Sequence, residues 1–346
     1  MSAIPLEGRP PPLRADTARP WPRTEDLPPW PDAPPLLSIR DLRVWFDEGG
    51  RLVPALRGVD LEIHRGEVLG LVGGPGCGKS VMGMAVLGLL GPRALLSGDI
   101  VLDDTSLTTT SQQSMSQIRG KRIAMTFQNP MASLSPVRRI GSQVMGAIRL
   151  HQGLRGAAAR AEAIRLLDRV RVPDAAGHMR AYPHELSHGT NQRVAMAMAL
   201  AGEPDLLVAD DPDTGPDTRI RASVIALLRE IHDDNGMALA LISRDLEAIA
   251  DLADHVMVMH AGRIVERAPS SVIARRPRHP YTQDLVAPLS GPADRRRRIM
   301  PIPGTATGGC SFAPGCPHAA TACHSGAAPT LRRAALDHHV ACHRKD

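Results

Sequence analysis

The chain has 346 residues, 43% of them hydrophobic and 22% charged, with a formal net charge of +5. The apolar content suffices for a sizeable core, and the basic residues are too spread out to predict a nucleic-acid partner. No run of about 18 apolar residues occurs, so no bilayer span is expected, and the Pro-rich start with its acidic residues does not resemble the apolar centre of a secretory leader. A place in the cytosol is expected.

Residues 1–36 are dominated by Pro with interspersed charge, a composition that predicts a flexible tail. Globular patterning begins at Leu36. Residues 37–63 alternate as antiparallel strands do, with a turn at Gly49-Gly50. Glu67 to Val72 is a short apolar run, the pattern of a buried parallel strand. Gly73-Gly74-Pro75-Gly76-Cys77-Gly78-Lys79-Ser80 follows and is a P-loop. Its glycines let backbone N–H groups approach phosphate oxygens, Lys79 adds a positive charge for the β- and γ-phosphates, and the Ser80 hydroxyl reaches Mg²⁺. A Met-, Leu- and Ala-rich stretch from Ser80 to Leu90 predicts a helix, whose N-terminus favours anions.

Ile123 to Met125 predicts a strand that ends at Phe127-Gln128, where the Gln128 carbonyl can meet Mg²⁺ or orient a water. From Ile140 to Ala181 the texture is helical, with an apolar stripe at Ala163, Ile164, Leu166, Leu167 and Val170 stopped by Pro173. Ser187-His188-Gly189 opens an Ala/Met-rich helix. Ser187 is a good N-cap, and its hydroxyl with the Gly189 N–H can also contact phosphate. Leu206 to Ala209 predicts a buried strand ending in Asp210-Asp211, a carboxylate for Mg²⁺ followed by one for the attacking water. A helix face at Ile220, Val224, Leu227, Leu228 and Ile231 and a strand at Ala238 to Ile242 complete an alternating α/β pattern with a parallel sheet.

Four cysteines, Cys310, Cys316, Cys323 and Cys342, lie in a Pro/Gly/His-rich segment with little core-forming pattern. Clusters of this kind in a reducing compartment bind metal more often than they form disulfides. Their spacing lacks the close pairs of structural zinc, and four thiolates suit a [4Fe–4S] cluster, with zinc or unpaired thiols as the other readings. His318, His324 and His343 are expected at the surface. The run Arg295 to Arg298 reads as a solvated linker.

The order of Gln128, Leu186–Gly189, Asp210-Asp211-Pro212, Asp217 and Ser243-Arg244-Asp245 resembles the Q-loop, signature, Walker B, D-loop and H-loop of ABC ATPases. Residues 127–136, 182–187 and 278–282 resemble the ATP-binding subunit of dipeptide and oligopeptide importers. The resemblance spans residues 37–346. It implies an ABC ATP-binding domain over 37–286, with a helical subdomain at about 137–187 that transmits closure, and a four-cysteine segment over 287–346. It implies ATP held by the P-loop, Mg²⁺ held by Ser80, Gln128 and Asp210, and an iron–sulfur cluster at the four cysteines. It also implies an adenine-stacking aromatic, for which Phe46 is the candidate and Trp45 its neighbour; core packing remains open for both. In the family, two ATPase subunits pair head to tail, with one P-loop facing the other's Ser187-His188-Gly189. Two membrane permeases and, indirectly, a solute-binding protein complete the machine, at the cytoplasmic face of the inner membrane.

Three positions depart from the family pattern: Asp211 stands for Glu, Arg244 for His, and His188 for Gly. Asp213, Gly215 and Pro216 also differ. An Asp carboxylate retreats by roughly 1 Å, and a misplacement of that size can cost about 10²-fold in rate. Arg cannot act as a neutral, switchable imidazole. The expectation is a heterodimer in which this chain's Walker site binds ATP but hydrolyses it slowly, with ordinary turnover as the alternative. A non-hydrolysing regulatory subunit is the rival reading. A repair-type P-loop ATPase fits poorly, since no coiled-coil heptads separate Gln128 from Leu186. Dipeptides, oligopeptides, glutathione-like peptides and nickel chelates all remain open as cargo.

Overall fold

The computed structural model describes residues 34–212, 218–287 and 309–344, with no side chains for 218–220. Residues 1–33 of the tail expected over 1–36, the D-loop residue Asp217 with its neighbours Asp213, Gly215 and Pro216, and the Arg295–Arg298 run lie outside the described residues, whereas Leu36 is buried and belongs to the core.

The strands are β1 (Leu37–Glu48), β2 (Arg51–Ile63), β3 (Val68–Val72), β4 (Ala94–Leu102), β5 (Thr105–Ser106), β6 (Ile123–Thr126), β7 (Leu206–Asp210), β8 (Ala238–Ser243), β9 (His255–His260), β10 (Arg263–Pro269), β11 (Arg332–Ala335) and β12 (His338–Val340). The helices are α1 (Lys79–Val86), α2 (Gln112–Ile118), α3 (Pro130–Ser133), α4 (Ile140–Gln152), α5 (Gly156–Arg169), α6 (Ala175–His178), α7 (His188–Leu200), α8 (Thr218–Asn235), α9 (Leu246–Ala250), α10 (Ser270–Arg275), α11 (Pro280–Val286) and α12 (Thr321–His324).

Two sheets form. The first is antiparallel, in the order β2-β1-β4-β5, and its β1–β2 hairpin turns at Gly49 and Gly50, both at positive φ. The second runs β11-β12-β10-β9-β3-β8-β7-β6. Its five strands from β9 to β6 are parallel, and every residue of β3, β7 and β8 is buried. Side chains alternate across it as the period of two requires. Val68, Val72, Leu207 and Ala209 face a core shared with the helices, while Leu69, Leu71, Leu206 and Val208 face the core under the antiparallel sheet. The expected α/β architecture is present.

The helices α4 to α6 pack with α7 through Ile140, Val144, Ala163, Leu167 and Val194. The segment that leads there from β6 is fixed by the buried Gln143. Its Oε1 accepts the Ser135 N–H at 2.8 Å, and its Nε2 donates to the Ser135 and Arg138 carbonyls at 3.0 and 2.9 Å. Helix α1 ends at Val86, short of the expected Leu90, because Gly88 turns into the left-handed region.

Residues 309–344 depart from expectation. They join the main sheet, with β12 pairing antiparallel to β10 at Glu266↔Val340 and Arg267↔His339. Leu331, Val340 and Ala341 are buried, so this segment shares the core. The joint is Glu266, whose carboxylate is fully buried. It accepts from the Arg278 N–H at 2.6 Å and the His279 N–H at 2.9 Å, and lies 2.6 Å from His338 Nε2. Burial raises the Glu266 pKa, but His338, Thr282 and the two amides outweigh it and hold the carboxyl below its ordinary value. One side chain thus ties β10, the approach to α11 and β12 together. Glu266→Leu orphans several buried donors and should cost about 3 kcal/mol or more, read as a lower urea midpoint.

Beside this joint, burial holds His260 and His279 neutral, with both pKa values lowered to about 4. The unfolded chain binds their protons from about pH 6.5 downward. Stability should therefore fall as pH drops from about 6.5 to about 4, because the unfolded state then binds more protons. His279→Asn, which can still cap α11, should flatten that slope in urea titrations at stepped pH.

Candidate nucleotide site

The loop between β3 and α1 is where the P-loop lies. Gly73 admits no side chain, since a Cβ there would stand 2.2 Å from the Met259 carbonyl oxygen of β9. Gly78, at φ +110, precedes α1 and packs against the Ala55 carbonyl. Pro75 and Gly76 form the exposed crest, and Cys77 turns inward, buried. Lys79 is buried and folds over the loop, donating to the Gly73 carbonyl at 2.6 Å and the Gly74 carbonyl at 3.0 Å. Two anchors outside the loop hold it. The Gly262 N–H donates to the Cys77 carbonyl at 2.8 Å, and the Gly74 N–H donates to Tyr281 Oη at 2.6 Å.

The strand ends deliver the acidic groups. Ser80 Oγ donates to Asp210 Oδ1 at 3.0 Å, bringing the start of α1 to the end of β7. These two oxygens suit Mg²⁺. Burial raises the Asp210 pKa, countered by the Ser80 hydroxyl. Gln128 lies exposed beyond β6 on the far side of β7.

The next residue, Asp211, is buried and left-handed at φ 46, a backbone that Asp tolerates better than most. Its Oδ2 accepts a hydrogen bond from Arg244 Nε at 2.9 Å and lies 2.9 Å from Nη2 of the same guanidinium in an ion pair. β7 and β8 are parallel neighbours with Asp210 opposite Ile242, so this meeting follows from the register.

Ser187 caps α7 as expected, accepting the Thr190 N–H at 3.1 Å. Ser187 and His188 are exposed, with Gly189 half-buried. Gln192, one turn on, donates to the Pro212 carbonyl at 2.8 Å and so links this helix to the loop after Asp211. Phe46 is half-buried and packs on the core beneath the antiparallel sheet, while Trp45 lies half-exposed beside it.

Cys310, Cys316, Cys323 and Cys342 are all free thiols. Burial pushes the Cys310 and Cys316 thiols up, and neighbouring thiols push in the same direction, Cys323, Cys342 and Cys316 on Cys310 and Cys342 and Cys323 on Cys316, so the four share one neighbourhood. Among the described residues, however, no three His, Cys, Asp or Glu side chains converge closely enough to hold a metal ion. The donor set fits a thiolate-ligated cluster, but the arrangement expected of one is not formed. His318 and His324 are exposed, as expected.

Residues 56–214 match the ABC transporter family, and residues 265–323 match the oligopeptide/dipeptide transporter C-terminal region. A putative peptide import ATP-binding protein of Brucella abortus is 42% identical over 84% of this chain and 89% of its own length. The chain belongs to the ABC transporter ATP-binding family. A probable peptide ABC transporter ATP-binding protein of Sinorhizobium fredii is 39% identical over 91% of this chain and 97% of its own. The oligopeptide transport ATP-binding protein OppD of Mycobacterium tuberculosis is 40% identical over 90% of this chain, which spans about half (52%) of that longer relative. Among solved structures, cbiO1 of Clostridium perfringens aligns with a TM-score of 0.59 at 26% identity, over 70% of this chain and 92% of that one. The ATP-binding cassette MJ0796, solved as a dimer bound to ADP and Pi, aligns at 0.61 and 22% identity over 68% of this chain and 98% of that one, a likeness of fold. Among the described residues no helix is long and apolar enough to cross a membrane.

Sequence reasoning missed three residues that the geometry brings forward: Tyr281, Gln192 and Glu266. Tyr281 stood in a motif used only as a family marker. The other two act across long sequence separations and leave no local signal. Gly73→Ala should abolish MgATP binding, measured by equilibrium dialysis, because the new methyl collides with backbone.

Proposed function

We propose that this chain is the ATP-binding subunit of a peptide importer, and that its own Walker site holds MgATP but hydrolyses it slowly. The observation that carries the second half is the two-pronged contact of Arg244 with Asp211 Oδ2. Lys79, Ser80 and Asp210 are grouped to hold the triphosphate and Mg²⁺, which on binding supplies charge neutralisation at the phosphates. Hydrolysis then needs a water to attack the γ-phosphorus in line, with its proton accepted as the bond to the β-phosphate oxygen breaks. Asp211 is the residue placed for that proton. Its Oδ2 already accepts the Arg244 Nε–H and lies against Nη2 of the same guanidinium, a contact that fixes its direction and occupies the oxygen. Arg244 also lacks the switchable proton of an imidazole.

The fold and relatives support a peptide as cargo and permeases as partners. The Ser187-His188-Gly189 start of α7 is offered to the γ-phosphate at a second ATPase subunit. Because this half-site is impaired, the second subunit is a different chain that keeps a catalytic Glu. Phe46 or Trp45 flanks the adenine. A chain that never hydrolyses, and gates by closure alone, is the limiting case of the same observation.

Single-turnover hydrolysis in a heterodimer whose partner lacks its catalytic Glu tests this. We expect little phosphate release from the parent and about a tenfold or greater rise when Arg244→His is combined with Asp211→Glu. Rapid release from the parent overturns the slow-site reading.

The four cysteines are proposed to bind a [4Fe–4S] cluster, on the chemistry of four free thiols in one short segment, which would draw together as the cluster is loaded. Anaerobically purified protein should be brown and carry about four irons per chain. Colourless protein with stoichiometric zinc, or with no metal, would displace the idea.

A further inference from the structure

We infer that Tyr281 is a positioning residue for the P-loop, and that the cysteine-bearing segment holds Tyr281 in place through Phe312, so that nucleotide affinity depends on the packing of residues 309–324. This deepens the proposed MgATP binding at Gly73–Ser80 and rests on it.

Gly73 and Gly74 have no side chains to fix them and are held only through their backbone groups. The Gly74 N–H is fixed from outside, by Tyr281 Oη at 2.6 Å. Tyr281 is itself buried and has little freedom, because two rings, His260 and Phe312, pack against it. The His260 ring centroid lies 4.5 Å from that of Tyr281, the Phe312 centroid 5.4 Å from Tyr281 and 5.5 Å from His260, and His279 packs 6.0 Å from Phe312. His260 comes from the end of β9, beside the Gly262 turn that anchors the Cys77 carbonyl. His279 caps α11 by accepting the Tyr281 N–H.

Phe312 is the member from another part of the chain. It sits two residues after Cys310, and the adjoining Ser311 Oγ shares a hydrogen bond of 2.9 Å with His260 Nδ1. Cys310 is in turn tied to Cys323, whose carbonyl accepts the Cys310 N–H at 2.9 Å. A contact path therefore runs from the cysteine loop through Ser311 and Phe312 to His260 and Tyr281, and ends on a backbone amide of the phosphate loop. Loss of the phenol oxygen leaves Gly74 N–H without its partner. The loop must then find another arrangement before phosphate binds, which weakens affinity by removing preorganisation.

The test uses the full chain with MgATP as the probe, read by calorimetry, and hydrogen exchange of the peptide that covers Gly73–Gly78. Tyr281→Phe keeps the ring and removes only the hydroxyl. It should weaken MgATP binding about 3- to 10-fold and speed exchange across Gly73–Gly78, with the buried strands β7 and β8 unchanged. Phe312→Ala should do the same, and the double variant should be little worse than the weaker-binding single one, because both act on one contact path. Phe312→Leu, which keeps apolar volume, is the second variant should the alanine chain fold poorly, and is expected to give a smaller effect of the same sign. A Tyr281→Phe chain that binds MgATP like the parent, or whose Gly73–Gly78 exchange is unchanged, overturns the role of Tyr281. Fully additive losses overturn the link to Phe312. A parent chain with no saturable MgATP binding overturns the nucleotide reading itself, and this inference with it.

Discussion

The carbonyl oxygen of Met259 occupies the space that any side chain on Gly73 would need. Strand β9 is thus a wall against which the phosphate loop is pressed, and only backbone fits in the gap. Because β9 and β3 are parallel neighbours, the loop that leaves β3 has to pass over the end of β9 before it can enter α1. The turn after β9 then supplies Gly262 to the loop, and α11 supplies Tyr281. The shape offered to phosphate is set less by the eight residues of the motif than by the elements that crowd it.

The same edge of the sheet explains why two substituted positions act together. Asp211 follows β7 and Arg244 follows β8, and adjacent parallel strands carry them to one point. The side chain after β7 has become shorter and the one after β8 longer than the family pattern. The long guanidinium spans the distance that the short carboxylate leaves. The positive φ at Asp211 fits this pairing, since Asp adopts that backbone with less strain than a longer acid. Backbone, charge and reach therefore agree on a closed ion pair.

Most of the parallel core was legible in the sequence, because continuous apolar runs such as Leu206 to Ala209 have no other home than a sheet covered on both faces. The phosphate loop and the Ser187 cap were legible for a related reason, since each is a local arrangement carried by consecutive residues. Residues 309–344 were not. Their sequence is short of apolar side chains, and β12 gains its place from Glu266 and the β10 backbone, seventy-odd positions away. Pattern reading also took Tyr281 as part of a recognisable phrase around His279 and Pro280, and could not see that its hydroxyl reaches back to Gly74. The four cysteines were visible as a group, but spacing alone said nothing of how far apart folding leaves them.

The joining of β12 to β10 also bears on how the chain is made. Synthesis runs from N-terminus to C-terminus, so β10 leaves the ribosome well before its partner at residues 338–340. Until then its outer row of N–H and C=O groups is an open edge, able to pair with any other extended strand nearby. Glu266 is buried in the finished protein but stands on that open edge strand in the growing one, and a charge on an edge strand discourages the wrong neighbour. The residue that welds the finished sheet together is, during synthesis, the one that keeps its edge free.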